Sequence, residues 1–465
     1  LGLRFDPIGG GQFKQAVKQI IEAESQPIHQ LEAHKAKEQA RLKLFQEFKG
    51  KFAGLDKAID DVSNFQKFRE LKSDLGDGAN LVSVTVDKEK AQPGTYSLTV
   101  DELAGRTSVI SNGFANPDEA NLGMGYVVMK LPNGDSKEIY VDDDKASLRG
   151  IALAINQQAD SPVRAAVIKD SSNAEEPWKL VMTAKKEGAS NQVEIPDFYF
   201  MDGDKDLNLD DQREAKNAKI QMNGFQIETE GNDVPDFLPG VNLHLKQAAS
   251  DKPFTLTITE DTQKISGKIK GLIDQVNGVL GFIGSQNKID QSTDTTSTFA
   301  GDTSLTNIEY RLRNLMQEAF PVGTPGEEGF RLVHLNELGV EFDKTGTLQF
   351  KEDKFQKLLE KDFDGISQAI TGEFGFAFQL RSTIQSYTQS GTGLLGVRER
   401  GIQARIKQID EQIDQKAKRL EQRQQSLTDQ FSRLEGSMAN MQRQQAALGA
   451  LGGGGGLTQQ LLGGG

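Results

Sequence analysis

Residues 402–448 constrain the chain more than any other stretch. Ile402, Ile406, Ile409 and Ile413 recur at spacings of four, three and four. Ala417, Leu420, Gln424, Leu427, Phe431, Leu434, Met438, Met441, Gln445 and Leu448 continue in alternating threes and fours. That is a heptad seam with one extra four-residue step between Ile413 and Ala417, a stutter that locally relaxes supercoiling. No proline falls within these limits and the one interior glycine is Gly436. At 1.5 Å per residue the seam spans roughly 70 Å, longer than an ordinary domain is wide. Arg405, Lys407, Asp410, Glu411, Lys416 and Lys418 lie off the seam as a solvated mixed-charge face. A stripe this narrow calls for a partner helix.

The other end of the chain offers one. Phe13, Val17, Ile20 and Ile21 open a helical stripe, and Ile28, Leu31, Leu42, Phe45, Phe52, Leu55, Ile59 and Val62 continue it. Pro27 is expected to interrupt this stripe, with a second helix starting at a cap on Ser25 or Gln26. Lys35 and Glu38 stand at heptad positions, so the middle of the seam is weak. Antiparallel pairing of the two ends is the economical solution, because each buries the other's stripe.

Between the ends the period changes to two. Val82, Val84 and Val86 alternate, as do Tyr96, Leu98 and Val100, around Pro93-Gly94. Residues 126–131 and 139–141 flank the turn Pro132-Asn133-Gly134-Asp135, and residues 220–227 centre on Asn223-Gly224, both hairpin signals. Leu148, Ile151, Ala152 and Ile155 predict a short helix, and residues 163–168, 180–183, 241–245 and 254–258 further strands. Helical spacing returns from Ile265 to Ile283 and at Leu305, Ile308, Leu312 and Leu315. A compact hairpin around Lys344-Thr345-Gly346 comes next, then helical stretches at 355–370 and 376–387. Residues 292–297 read as a polar loop, 390–396 as a Gly-rich hinge, and the tail from Gly449 as mobile. The fold class is therefore α+β and multidomain: a helical leg made by both termini, with β-rich head domains inserted in the middle. The expected division is 1–45 with 428–465, 46–74 with 263–427, 75–106 with 215–262, and 107–214.

Composition narrows the function. A 465-residue chain fits about two to four domains. Its net charge of −13 argues against nucleic acid, whose phosphates need clustered cations. Without cysteine there is no disulfide, thiolate metal site or thiol nucleophile. No apolar run reaches the about 18 residues that a membrane helix needs. Residues 1–11 lack the layout of a cleavable secretory signal, so export is expected by another route.

Several resemblances join these observations. Residues 17–31 (VKQIIEAESQPIHQL), with Glu24 and Pro27, are similar to the N-terminal helix of the flagellar hook-associated protein 2, or filament cap, family. Residues 218–245, with Asn223-Gly224, Asn232 and Pro239-Gly240-Val241, resemble that family's signature. So do Gly301-Asp302, Leu338-Gly339-Val340, Gly346 and Leu348, and the closing stretch 430–448 (QFSRLEGSMANMQRQQAAL). Ile155-Asn156, Ala165-Ala166-Val167, residues 180–183 and 188–191 are similar to the IN motif of flagellins and hook proteins. One departure is Gly9-Gly10-Gly11-Gln12, where the family carries Ser-Gly-Leu-Asp.

The resemblance implies a protein exported without a cleavable signal peptide to the extracellular tip of the bacterial flagellum. It implies a homo-oligomeric ring there of about five subunits. Flagellin would be its partner, with hook–filament junction proteins and an export chaperone as further partners. The terminal seam would be the assembly element, through Val17, Ile20, Ile28 and Leu31 at one end. At the other end it would act through Ile402, Ile406, Ile409, Ile413, Leu420, Leu427, Phe431, Leu434, Met438, Met441 and Leu448. The alternative function is a surface adhesin acting through residues 106–214.

Chemistry-bearing motifs are sparse. Asp202, Asp204, Asp206, Asn208 and Asp210 alternate like the start of a calcium loop. Leu207 stands where such a loop needs glycine and Arg213 where it needs glutamate, so an acidic surface turn is the competing reading. His29 and His34 do not share a helix face, and His244 and His334 are isolated. Thr262 replaces the first glycine of a phosphate loop before Gly267-Lys268. Acidic pairs such as Asp60-Asp61 read as solvated charge, and Trp178 as core or rim. No nucleophile–base–oxyanion set is present, so neither an enzyme nor a cofactor is expected.

Overall fold

The computed structural model describes residues 11–131, 134–287, 299, 302–389, 391 and 393–452. The glycines before residue 11, Pro132 and Asn133, the 292–297 loop, Gly301, Ser390 and Thr392, and the tail beyond 452 lie outside them. The helices are α1 (Gly11–Asp60), α2 (Phe65–Phe68), α3 (Leu148–Asn156), α4 (Thr262–Asn287), α5 (Thr303–Leu315), α6 (Glu352–Lys361), α7 (Phe363–Thr371), α8 (Phe376–Thr388) and α9 (Leu394–Gly452). The chain divides into two compact units, one of residues 1–64 with 266–465, the other of residues 65–265. The architecture is α+β and multidomain.

In the first unit α1 packs along α9. Four ion pairs define an antiparallel register: Lys49–Glu399, Glu38–Arg405, Lys35–Asp410 and Glu24–Arg423. Pro27 does not break α1, which runs through it. Proline removes one backbone donor, but Ala23 and Pro27 both face solvent, where water can satisfy the freed carbonyl. Ser25 turns its hydroxyl back to the Glu22 carbonyl at 2.7 Å. Helical packing on α9 outweighs the local penalty.

The last third of α1 sinks into the unit's core. Phe45, Phe48, Phe52, Leu55 and Ile59 are fully buried. Phe48 stacks on Phe282 of α4 with ring centroids 5.1 Å apart, and Phe52 meets Tyr387 of α8 edge-on. The stretch 355–370 is not one helix. Asp362, at φ −150° and ψ 69° and so outside the helical region, ends α6 and caps α7 by accepting from the Gly365 amide at 3.0 Å. An antiparallel hairpin of Ala319–Val322 and Arg331–His334 also stands here, carried by a proline- and glycine-rich loop without alternating hydrophobicity.

The second unit holds two apolar cores. One is organised by a five-stranded antiparallel sheet ordered Leu71–Asp74, Phe254–Glu260, Gly94–Glu102, Ala218–Met222, Phe225–Thr229. A three-stranded sheet (Asp233–Leu238, Val241–Leu245, Val82–Val86) shares its core. Asn223 and Gly224 both adopt positive φ, 50° and 87°, as the tight hairpin between Met222 and Phe225 requires. The other core lies among α3, a four-stranded sheet (Leu209–Arg213, Ser108–Ser111, Trp178–Ala184, Val163–Lys169) and a three-stranded sheet (Ser136–Val141, Met124–Lys130, Asp197–Met201).

Candidate functional site

The antiparallel pair of α1 and α9 gathers most of the seam. Val17, Ile20, Ile28 and Leu31 are half-buried on α1. On α9, Ile402 and Leu427 are buried, and Ile406, Ile409, Ile413, Leu420 and Phe431 are half-buried. Ala417, at the stutter, is exposed, and α9 continues through it without a break. Lys35 and Glu38, the two polar intrusions in the α1 seam, are the residues that reach across. The Lys35 amine lies 2.5 Å from Asp410, and the Arg405 guanidinium 3.2 Å from Glu38. The Glu38 side chain is only 12% exposed, with Arg41 on its other side at 3.4 Å. Exposed pairs contribute about 0.2–1 kcal/mol each, so their main effect is to fix which turn faces which.

The far end of the α9 seam is exposed. Leu434, Met438, Met441 and Leu448 are 50%, 45%, 60% and 68% exposed. In the ion-pair register Leu434 lies opposite the first described turn of α1, and the other three lie past it. Among the described residues this leaves an apolar helical face with heptad spacing and no helix against it. Such a face recruits a further amphipathic helix, as in coiled coils and helix-in-groove contacts.

The start of α9 is also tied to α5. Asp302, N-cap of α5, accepts from the Ser304 amide at 2.9 Å and from the guanidinium of Arg398, which also donates to the Ser304 hydroxyl at 3.0 Å. Burial pushes the Asp302 carboxyl up, but Arg398 and the Ser304 amide outweigh it and hold the group below its ordinary value.

In the second unit a side-chain hub joins the two cores. Glu187 accepts from Arg106 Nη2 at 2.9 Å, from the Asn232 amide at 3.0 Å and from Asn232 Nδ2 at 2.9 Å. Asn232 in turn brackets Ala104, accepting from its amide and donating to its carbonyl. Gly188, at φ 99°, lies so close to the Glu230 carbonyl that a Cβ would come within 2.4 Å of it. Asn232 stands out in the sequence by resemblance alone, and Glu187 carries no sequence signal of its own.

The acidic loop takes a different form from a cation cage. Asp202 adopts positive φ, and the Asp206 carbonyl and the backbone of Asn208 are held by Asn112 at 2.9–3.0 Å. Among the described residues no group of three or more His, Cys, Asp or Glu is placed to hold a metal ion. Trp178 packs at the rim of the outer core, flanked by Arg149 and Lys169 at 5.7 and 5.6 Å from its ring. No described helix is long and apolar enough to cross a membrane.

These features define a class: a multidomain α+β protein in which α1 and α9 close on each other as a helical pair and the sequence between them carries β-rich domains. Two family models match in order, the flagellar hook-associated protein 2 N-terminus over residues 10–107 and its C-terminus over residues 215–443. The chain belongs to the flagellar hook-associated protein 2 family, the flagellar cap proteins. It is 27% identical over 387 residues to the B-type flagellar hook-associated protein 2 of Pseudomonas aeruginosa, covering 77% of this chain and 78% of that protein. With the A-type protein of the same species it shares 26% over 439 residues, covering 87% and 89%. The D1-D2-D3 domains of the flagellar cap protein FliD of Escherichia coli share the fold, with a TM-score of 0.53 at 22% identity, over 77% of this chain and 99% of that one.

Proposed function

We propose that this chain caps the growing flagellar filament from outside the cell, assembling as a ring at its tip and holding arriving flagellin there while it folds and inserts. The observation that carries this reading is the exposure of the α9 seam at Leu434, Met438, Met441 and Leu448. An uncovered heptad face at a chain end suits docking on the amphipathic helices of a neighbour, whether flagellin or another copy. In this reading the four divisions act as terminal leg (1–45 with 428–465), helical leg (46–74 with 263–427), inner head (75–106 with 215–262) and outer head (107–214). Ring size of about five follows from resemblance to the family, as do the junction-protein and chaperone partners. The function is mechanical and calls for no cofactor.

The test is reconstitution. Filaments from cells lacking their cap protein are incubated with flagellin, with and without the purified chain. Growth at the tips only when the chain is present is the expected result; equal loss of flagellin to solution in both reactions contradicts the proposal.

A further inference from the structure

The outer core of the second unit is closed by two sheets, and each turns an unlike face away from it. The three-stranded sheet buries Val127, Met129, Ile139 and Val141, and the four-stranded sheet buries Val109, Val163, Leu180 and Met182 in the same core. Side chains alternate along a strand, so on each sheet the residues between these look away from that core.

On the three-stranded sheet the register sets Tyr140, Tyr126 and Tyr199 side by side across the strands. They are 52%, 46% and 60% exposed, and the Tyr126 and Tyr140 rings lie 5.2 Å apart. Met124 and Met201 form the next row on one side, also exposed. The row on the other side is Glu138, Val128, Asp197, an apolar centre with a carboxylate at each edge. Aromatic and methionine side chains exposed together in this way are uncommon on a free surface and typical of interface centres.

The four-stranded sheet answers it. One row reads Arg164, Thr183, Ser108, Arg213, with a guanidinium at each edge. Both arginines are exposed, and neither has an ion-pair partner among the described residues. The next row is Ala166, Val181, Ile110 and Asp211, an aliphatic strip that ends in a carboxylate on the Arg213 edge, and Ile168 beyond it is 41% exposed. Strands lie about 4.8 Å apart, so the carboxylates are separated by about 10 Å and the arginine Cα atoms by about 14 Å, a difference that the long arginine side chains can span. Guanidinium groups also suit the faces of tyrosines.

We infer that the Tyr126 face of one copy docks on the Arg164–Arg213 face of the next. This inference rests on the self-association proposed above and names its surface. Because the two faces differ and both turn away from one shared core, the contact is head-to-tail, the type that makes a ring when its rotation closes. Opposed charges at the edges set the orientation, and the aromatic and aliphatic rows supply the apolar centre.

Complementary knockouts in the full chain test this. One variant carries Tyr126→Ser and Glu138→Lys, the other Arg164→Glu and Arg213→Glu, all at exposed positions, with thermal melting as the check on folding. Masses are read by light scattering at low salt. Each variant alone should associate at least tenfold more weakly than the unaltered chain. An equimolar mixture should associate where neither variant does alone, because the intact face of each meets the intact face of the other. A chain combining Glu138→Lys and Asp197→Lys with Arg164→Glu and Arg213→Glu should regain association, which tests the pairing independently of either knockout. Variants that assemble like the unaltered chain would overturn the docking surface while self-association stands. An unaltered chain that stays monomeric would overturn both.

Discussion

Asp343 shows how much a single half-buried side chain can organise. It accepts from the amides of Thr345 and Thr347 at 2.8 and 3.0 Å, from the Thr345 hydroxyl at 2.6 Å and from Gln349 at 3.1 Å. With the Thr345 hydroxyl first among these donors to the ionised form, the carboxyl is held at about 2, against an ordinary value of 3.8. A lowered folded value means that the hydrogen-bonded turn is fully supported above the ordinary value and loses that support as pH falls through about 2. An NMR titration of the Asp343 carboxyl carbon should place its midpoint near that lower value; a midpoint at the ordinary value would show that the turn does not hold the carboxylate. The sequence displays this hairpin openly, because Lys344-Thr345-Gly346 is short, local chemistry. It is silent about Glu187 and Asn232, which meet although they stand 45 positions apart. Nothing in a single polar residue's neighbours announces a partner that the fold alone brings near.

At the scale of elements, periodicity is the reliable guide and proline the misleading one. The two long seams, the alternating strands and the Asn223-Gly224 turn all read directly from spacing. Pro27 and the 355–370 stretch do not. In the first case packing along α9 overrides a local breaker; in the second the Asp362 cap divides a pattern that spacing alone would leave whole. Glu38 also gains its meaning only from the partner helix, since a charged residue in a seam looks like weakness until Arg405 and Arg41 stand around it. Glu38→Leu should therefore change stability by less than about 1 kcal/mol, since an apolar group suits the position and the lost pairs are weak. It should loosen the pairing instead. Distances between spin labels on solvent-facing positions of α1 and α9 should then spread over more than one register. An unchanged, single distance would show that the apolar seam fixes the register unaided.

For the whole molecule, the order of elements is readable because the two ends share a period that the middle lacks. How the inserted domains divide is less so, since the segments that form one sheet, such as Leu71–Asp74, Gly94–Glu102 and Phe254–Glu260, lie far apart in the chain. The site is legible as a seam but not as a surface, because spacing cannot say how far along α9 the cover extends. The structure adds that Leu434, Met438, Met441 and Leu448 are exposed, and the capping proposed above is assigned to this stretch. The decisive measurement is filament length in cells whose only copy of this protein lacks residues 430–465. Filaments should be absent or severely shortened while unpolymerised flagellin accumulates outside the cell, and the purified truncated chain should keep the β-sheet circular dichroism of its second unit. Filaments of normal length from those cells would contradict the assignment of capping to the uncovered end of α9.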